Sequence, residues 1–447
     1  MRVLTLTAVG LALAAATFAA SKAGATSLEE AVQAAIVFHP RIQRDQAREQ
    51  VAEQDVEVSY SRYLPRADLD NSIGYEATHS PVTRSAGKGW RDFIRTDNRL
   101  TVSQMIIDGG ATPGLVAAAR ANHRAAKGDL RETSELVAID TVQLYLNLLR
   151  DQEFVRIAEE NVAAHQGLTD RIRGLAEAGR GSDADISQAD SRLALARATL
   201  EDRRGGLREV AARYIETVGA EPGVMEPTRA PDYGEPASVD EAIAIAMQNN
   251  PSVQATEARV EQAEHEIRVA RANYYPRVDA ELFGSINKNQ DGTPGVDKDL
   301  NARLRGQWNL FNGFGDVART RRAEMERNAA KGTLGDEARR IREETRVVWE
   351  ALQTQRDRVV PLREHLGAQE RTLESYLGQF DVGRRSLLDL LDSQNEAFQA
   401  RTQLADAEFD LAVAEYELIF VTGRLLETLG IVVPSQEDDH LERDQNG

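Results

Sequence analysis

The chain has 447 residues, a formal net charge of −18 and no cysteine. The negative charge argues against nucleic acid as a partner, because a binding face would need basic residues to neutralise phosphates. The lack of cysteine excludes a disulfide scaffold, thiolate metal sites, a cysteine nucleophile and lipidation of an N-terminal cysteine. The mean hydropathy of −0.45 excludes a bundle of transmembrane helices.

The N-terminal segment is typical of an export signal. One arginine precedes an apolar run from Val3 to about Ala20, and a small-residue motif ends at Ala25. This pattern predicts a signal peptide over residues 1–25 and an exported protein. A retained membrane anchor is the alternative, but a run of about 18 residues is short for a span.

Two parts of the chain repeat the same motifs. Ser27-Leu28-Glu29-Glu30-Ala31 matches Ser238-Val239-Asp240-Glu241-Ala242, and Gly179-Arg180-Gly181-Ser182 matches Gly383-Arg384-Arg385-Ser386. Such agreement along the chain indicates an internal duplication. The predicted parts are a first structural repeat at 26–220, a proline-rich linker at 221–237, a second structural repeat at 238–430 and an acidic, disordered tail at 431–447.

Each repeat opens with a predicted helix. Ser27 and Ser238 each stand three residues before a glutamate, which is the capping-box pattern of a helix N-terminus. We expect each helix to run for about 35 residues, to near Pro65 and Pro276.

Segments of alternating polarity follow in each repeat. Leu69, Ile73 and Tyr75 alternate with Asp70 and Glu76, and a period of two indicates a strand with one apolar and one polar face. The length fits an outer-membrane strand, whereas a soluble, half-buried sheet is the alternative. The same period recurs around residues 94–106, 278–287 and 300–310.

Long helical sequence follows each strand pair. Proline is absent from Gly114 to Glu221, and strong helix formers dominate there. Leu193, Ala196 and Leu200 begin a heptad pattern of the coiled-coil type. We predict one long antiparallel helical hairpin in each repeat, with turns at residues 177–183 and 381–387. A soluble coiled-coil scaffold is the alternative, but it does not explain the four alternating segments.

Together these features resemble the TolC family of outer-membrane channel proteins, over nearly the whole chain after the signal. The most specific stretch runs from Phe380 to Gln394 and is similar to the family's hairpin-tip motif. The resemblance implies a mainly α fold with a small β part, in which each chain gives four strands to a 12-stranded trimeric β-barrel. The long coiled-coil hairpins would form a tunnel through the periplasm. The implied location is the outer membrane of a Gram-negative bacterium.

The resemblance also implies roles for residues at the hairpin tips. Asp185, Phe380 and Arg385 match a gate that closes the periplasmic end, although the best-known family gate has tyrosine at the position of Phe380. Asp389 and Asp392 match acidic rings in the lumen, where clustered carboxylates would attract cations. The tip residues expected to contact a periplasmic adaptor are Gly179, Arg180, Ser182, Gly383, Arg384, Ser386 and Leu387.

The implied function is an exit duct and not an enzyme. The chain has no GxSxG motif and no phosphate loop, its seven histidines are scattered, and no cofactor or metal is expected. Expected partners are two further copies, outer-membrane lipid, a periplasmic adaptor (membrane fusion protein), and an inner-membrane ABC transporter or other pump. The first hairpin most resembles the type I secretion branch, which exports large adhesins or RTX-like proteins. Multidrug or other small-molecule efflux is the alternative.

Overall fold

The computed structural model describes residues 25–433 except residues 86 and 88. The predicted signal peptide up to residue 24 and the part of the predicted 431–447 tail from residue 434 lie outside the described residues. Residues 431–433 are described, and Ile431 and Val433 are buried in the core there. In the described part, two long helical hairpins are joined by shorter helices and by one four-stranded sheet. Over that same part, no helix is both long enough and apolar enough to cross a membrane.

The two repeats share their main elements in the same order: two helices, two long strands and a long helical hairpin. The first contains β1 (Ala25–Thr26), α1 (Leu28–Phe38), α2 (Pro40–Tyr60), β2 (Arg66–Thr78), α3 (Pro81–Ser85), β3 (Arg91–Ile107), α4 (Ala111–Glu177) and α5 (Asp183–Val218). The predicted linker contains β4 (Val224–Met225). The second repeat contains α6 (Val239–Asn249), α7 (Pro251–Ala272), β5 (Arg277–Lys288), β6 (Val296–Gln307), α8 (Gly315–Asp381), α9 (Leu387–Val421) and α10 (Leu425–Thr428). Helices α4 and α8 each have 67 residues, which makes each about 100 Å long at 1.5 Å per residue.

The prediction of one unbroken helix at the start of each repeat is wrong. Each is two helices, because a proline follows His39 in the first repeat and Asn250 in the second. His39 has extended backbone angles, with φ −71° and ψ 125°, since the residue before a proline is disfavoured in a helix. Pro40 then begins α2, where its missing N–H costs no helical hydrogen bond.

The sheet joins the two repeats. Its strand order is β2-β3-β5-β6, every neighbouring pair is antiparallel, and β3 pairs with β5 across the repeats. Leu69 lies opposite Leu100 on one face, whereas Asp70 lies opposite Arg99 on the other. Leu300, on the apolar face, is 78% exposed. The predicted alternation is therefore confirmed, and the sheet has one exposed apolar face and one charged face.

The largest buried core lies midway along α4, where α1, α10 and the ends of α5 and α9 converge. Tyr145, Tyr214 and Tyr416 are fully buried there. Residues 221–237 pack against this core: β4 pairs in parallel with β1, and the Tyr145 hydroxyl donates to the Glu226 carbonyl at 2.8 Å. The core thus holds the middle of the molecule rigid, with the sheet at one end and the hairpin tips at the other.

Candidate functional site at the hairpin tips

Both hairpins turn at a glycine with left-handed backbone. The φ angle is +75° at Gly179 and +72° at Gly383, a region that favours glycine because it has no Cβ. The amide after each glycine donates back to the last turn of the preceding helix. The predicted turns at residues 177–183 and 381–387 are therefore confirmed, and the two tips have the same local geometry.

A serine caps the returning helix of each hairpin and bonds to an aspartate three residues later. The Ser182 hydroxyl accepts from the Asp185 amide at 3.2 Å and donates to its carboxylate at 2.7 Å. Ser386 and Asp389 repeat this arrangement at 3.2 and 2.8 Å. Because a helix N-terminus favours negative charge, both carboxylates stabilise their tips. Asp185 and Asp389 are thus equivalent positions of the two repeats.

Arg385 is held against the second hairpin by an aromatic ring. Its guanidinium carbon lies 3.8 Å from the centre of the Tyr376 ring, the geometry of a cation–π contact. Its Nη1 atom is 3.8 Å from the Asp389 carboxylate, and its Nε atom is buried without a hydrogen-bond partner. Within residues 25–433, leaving aside 86 and 88, Arg385 and Asp185 form no ion pair.

The three predicted gate residues line one cavity between the two tips. This cavity has a volume of about 170 Å³ and receives side chains from both hairpins. Phe380 also packs on a small apolar cluster that includes Leu168, Ile172 and Leu390. The residues lining the cavity include Arg180, Asp185, Phe380, Gly383, Arg385 and Leu387.

Leu387 differs from the expectation of an exposed tip residue. It is only 7% exposed, because it begins α9 and packs into the apolar cluster beneath the turn. The other predicted tip contacts are exposed, as expected of turn positions: Gly179, Arg180, Ser182, Gly383, Arg384 and Ser386.

Ion pairs link the two hairpins just below the tips. Arg192 of α5 donates to Asp392 of α9 at 3.1 Å, and Arg171 of α4 donates to Asp381 of α8 at 2.8 Å. The predicted ring residue Asp392 therefore has a basic partner from the other repeat. These pairs are partly exposed, so each contributes on the order of 0–1 kcal/mol, and they fix the alignment of the hairpins more than their stability.

Sequence reasoning missed Tyr376 and Arg192. Tyr376 lies one helical turn before Phe380, on the same face, so helical spacing could have indicated it. Arg192 lies seven residues after Asp185, which places it on the same stripe of α5. Its partner is 200 residues away in sequence, and no local pattern reports such a pairing.

The duplicated hairpins, their shared sheet with an exposed apolar face, and the matched tips define a channel-type architecture. The model of the Outer membrane efflux protein family matches residues 31–218 and 242–424, so the chain belongs to this family. The resemblance to TolC-type proteins is confirmed. The chain is accordingly an outer-membrane channel of tripartite export systems, extends into the periplasm, and is not an enzyme.

Individual relatives are similar over most of their length. The outer membrane efflux protein BepC of Brucella suis is 24% identical, with 92% of this chain and 89% of the relative covered. The alkaline protease secretion protein AprF of Pseudomonas aeruginosa is 22% identical, with 77% and 73% covered. The crystal structure of the CmeC outer membrane channel of Campylobacter jejuni has a TM-score of 0.77 at 15% identity, with 93% and 88% covered. The likeness to CmeC is evidence for the fold alone.

Proposed function

We propose that the chain is the trimeric exit duct of a type I secretion machine that exports a protein. An inner-membrane ABC transporter would supply the energy, and a periplasmic adaptor would connect it to the duct. The observation that carries the choice of cargo is the likeness to AprF, a protease secretion protein, over 77% of the chain.

The open sheet supports assembly into a trimer. Strands β2 and β6 lie at its two edges, and each has one unpaired side within the sheet described. An unpaired edge beside an exposed apolar face is unstable in lipid, where every backbone group must be bonded within protein. Three copies pairing edge to edge would close an even-numbered barrel of about 12 strands. The apolar face would then contact outer-membrane lipid, and the charged face would line the lumen.

The tip residues support a gate at the other end of the duct. Asp185, Phe380 and Arg385 would hold neighbouring hairpins closed, with Tyr376 supplying the aromatic contact to Arg385. Opening would need the hairpins to realign, and both the gate contacts and the Arg192–Asp392 pair oppose that movement. The proposed adaptor contacts are the exposed tip residues Gly179, Arg180, Ser182, Gly383, Arg384 and Ser386, which the buried Leu387 supports from beneath the turn. The proposed lumen rings are Asp389 and Asp392.

Small-molecule efflux is the second candidate function. It is favoured by the likeness to BepC, an outer membrane efflux protein, over 92% of the chain. One duct could also serve both tasks with different inner-membrane partners.

A deletion strain distinguishes these functions. Proteins in the culture supernatant and on the cell surface are compared with the parent, beside susceptibility to dyes, detergents and antibiotics. We expect the loss of one large secreted or surface protein with unchanged susceptibility, restored by the plasmid-borne gene. Hypersensitivity with an intact set of secreted proteins would contradict the proposal and establish efflux, and loss of both would indicate a shared duct.

A further inference from the structure

A shallow groove lies on the apolar face of the sheet, near the helical end of its strands. Its volume is about 520 Å³. Its floor includes Val102 of β3, Leu282 of β5 and Leu304 of β6, and Leu282 and Leu304 are 48% and 75% exposed. Glu281 and Arg303 also border the groove, but they pair with each other and alternate with the apolar positions along their strands. The apolar floor fits a hydrocarbon chain.

A second cavity, of about 440 Å³, lies where α2, α4 and α7 meet the sheet. Unlike the groove, this cavity is lined largely by polar groups, among them two arginines, and it also has a pair of aromatic rings. Tyr60 and Tyr63 form the aromatic wall, with ring centres 5.3 Å apart in an edge-to-face arrangement. The residues that line it include Tyr60, Tyr63, Arg120, Arg124, Glu261 and His265.

The basic charge in this cavity exceeds the acidic charge. Arg124 is bonded to Glu261, whereas Arg120 has no ion-pair partner in the chain from residue 25 to 433, residues 86 and 88 apart. The Nδ1 atom of His265 is buried without a hydrogen-bond partner. The guanidinium of Arg120 is therefore available to an anion, whereas the other ring nitrogen of His265, Nε2, lies 3.5 Å from Glu261.

Gln104 connects the groove to the cavity. It lies on the apolar face of β3, lines the groove, and donates to the Tyr63 carbonyl at 2.9 Å. The apolar groove thus continues into the aromatic wall and then to the arginines. Aromatic side chains at the edge of an apolar belt mark a membrane–water interface, and basic pockets just beyond it suit lipid headgroups.

All the residues that line this cavity come from a single chain. Helix α4 packs between α2 and α7, and α8 packs on the other side of α7. A cavity centred on α4 is therefore set back from α8, an edge helix of this layer. Residues at heptad spacing lie on one face of a helix, so the face of α4 that carries Ala117 and Arg124 also carries Ala138 and Tyr145. Ala138 and Tyr145 belong to the core that contains α1.

We propose that the cavity binds the phosphate of an anionic phospholipid in the periplasmic leaflet of the outer membrane, while one acyl chain lies in the apolar groove. Arg120 contacts the phosphate with its unpaired guanidinium, and Arg124 contacts it with the N–H groups that it does not donate to Glu261. Tyr60 and Tyr63 lie at the glycerol level. Guanidinium groups suit this role because they donate to phosphate oxygens in pairs. The inference rests on the membrane insertion proposed above.

Native mass spectrometry of the detergent-purified protein tests the site, with phosphatidylglycerol and phosphatidylcholine added as probes. We expect phosphatidylglycerol to be retained preferentially. Its affinity should fall by about 30-fold in Arg120→Gln/Arg124→Gln, from the loss of two arginines. The single variant Arg120→Gln breaks no ion pair of the protein and should show part of the loss. The control Arg321→Gln/Arg322→Gln removes equal charge from the first turns of α8 and should bind as the wild type does.

Each outcome has one meaning. Equal retention of phosphatidylglycerol by wild type and double variant, or no preference over phosphatidylcholine, overturns the proposal. Displacement of the lipid by inorganic phosphate at a similar concentration indicates a free-phosphate site and also overturns it. The particle mass in the same spectrum reports assembly, so loss of the trimer in the wild type would contradict the proposed duct and not the headgroup site.

Discussion

At the scale of single residues, Glu135 is the group whose surroundings change its chemistry most clearly. Glu135 lies on α4, and its side chain is buried, with 1% exposed. The carboxylate accepts no hydrogen bond from any described side chain. Burial raises the pKa of Glu135 to about 7, and the charge of Arg131 and the backbone amides of Leu425 and Leu426 offset only part of that rise. Glu135 is therefore protonated in the folded protein at mildly acidic pH.

This pKa predicts how stability depends on pH. The pKa of Glu135 in the folded protein lies above its unfolded value of about 4.5. The contribution of Glu135 to the free energy of unfolding is therefore fully present below pH 4.5 and is lost as pH rises through 7. Above pH 7 the folded protein holds a buried carboxylate, at a cost of about 3 kcal/mol. We expect Glu135→Gln to raise the melting temperature at pH 8 and to leave it nearly unchanged at pH 4.5.

Thermal unfolding of the purified protein at several pH values measures this difference. Glu53→Gln is the matched control, because it makes the same substitution at an exposed position of α2 and so removes no buried carboxylate. A difference between Glu135→Gln and wild type that is the same at pH 4.5 and pH 8 would contradict the prediction.

At the scale of elements, the sequence predicted best where one local rule decided the structure. Alternation predicted the strands, and the absence of proline predicted α4 and α5. Helix α8 runs unbroken through Pro361, which the same rule does not predict. The break at His39 was missed because the capping box at Ser27 was followed through Pro40, although a proline restricts the residue before it. At the site, the turn glycines were predictable, whereas the contact of Arg385 with Tyr376 depends on side-chain packing that no spacing specifies.

The turn glycines give a prediction at this scale. Gly383→Ala places a Cβ at φ +72° and should destabilise the second tip by about 1–2 kcal/mol. Gly378→Ala, one turn earlier in α8, meets no neighbouring atom within 4 Å and should stabilise the helix by about 0.5–1 kcal/mol. Hydrogen exchange of tip peptides should therefore become faster in the first variant and slower in the second. Equal effects of both substitutions would refute a left-handed turn at Gly383.

At the scale of the whole molecule, the features with functional consequences are those that join the repeats. The β3–β5 pairing and the Arg192–Asp392 bond each connect the two halves. A single sequence indicates that two repeats exist but not which of their faces meet, because distant pairings leave no periodic signal. The resemblance to a known family supplied the overall arrangement, and the structure supplied the partners of the acidic residues at the tips.

These partners sharpen what is expected of the lumen rings in a trimer. Three copies each of Asp389 and Asp392 would bring six carboxylates into a narrow neck, which favours cations and block by multivalent cations. Arg192 bonds to Asp392, and Arg385 lies 3.8 Å from Asp389. The arginines therefore reduce the field of the carboxylates, and removing one arginine should strengthen the block.

Conductance of single trimers in a planar lipid bilayer, with hexaamminecobalt(III) as blocker, tests this reasoning. We expect a cation-selective wild type, a block weakened about tenfold or more in Asp389→Ala/Asp392→Ala, and a stronger block in Arg192→Gln. Asp183→Ala is the control, because Asp183 is an exposed first-turn acid of α5 with no ion pair among the described residues. An anion-selective wild type, or a block unchanged by the double substitution, would show that these carboxylates do not line the neck. A block weakened in Arg192→Gln would instead show that the Arg192–Asp392 bond positions the ring, because its loss would then let Asp392 turn away from the lumen.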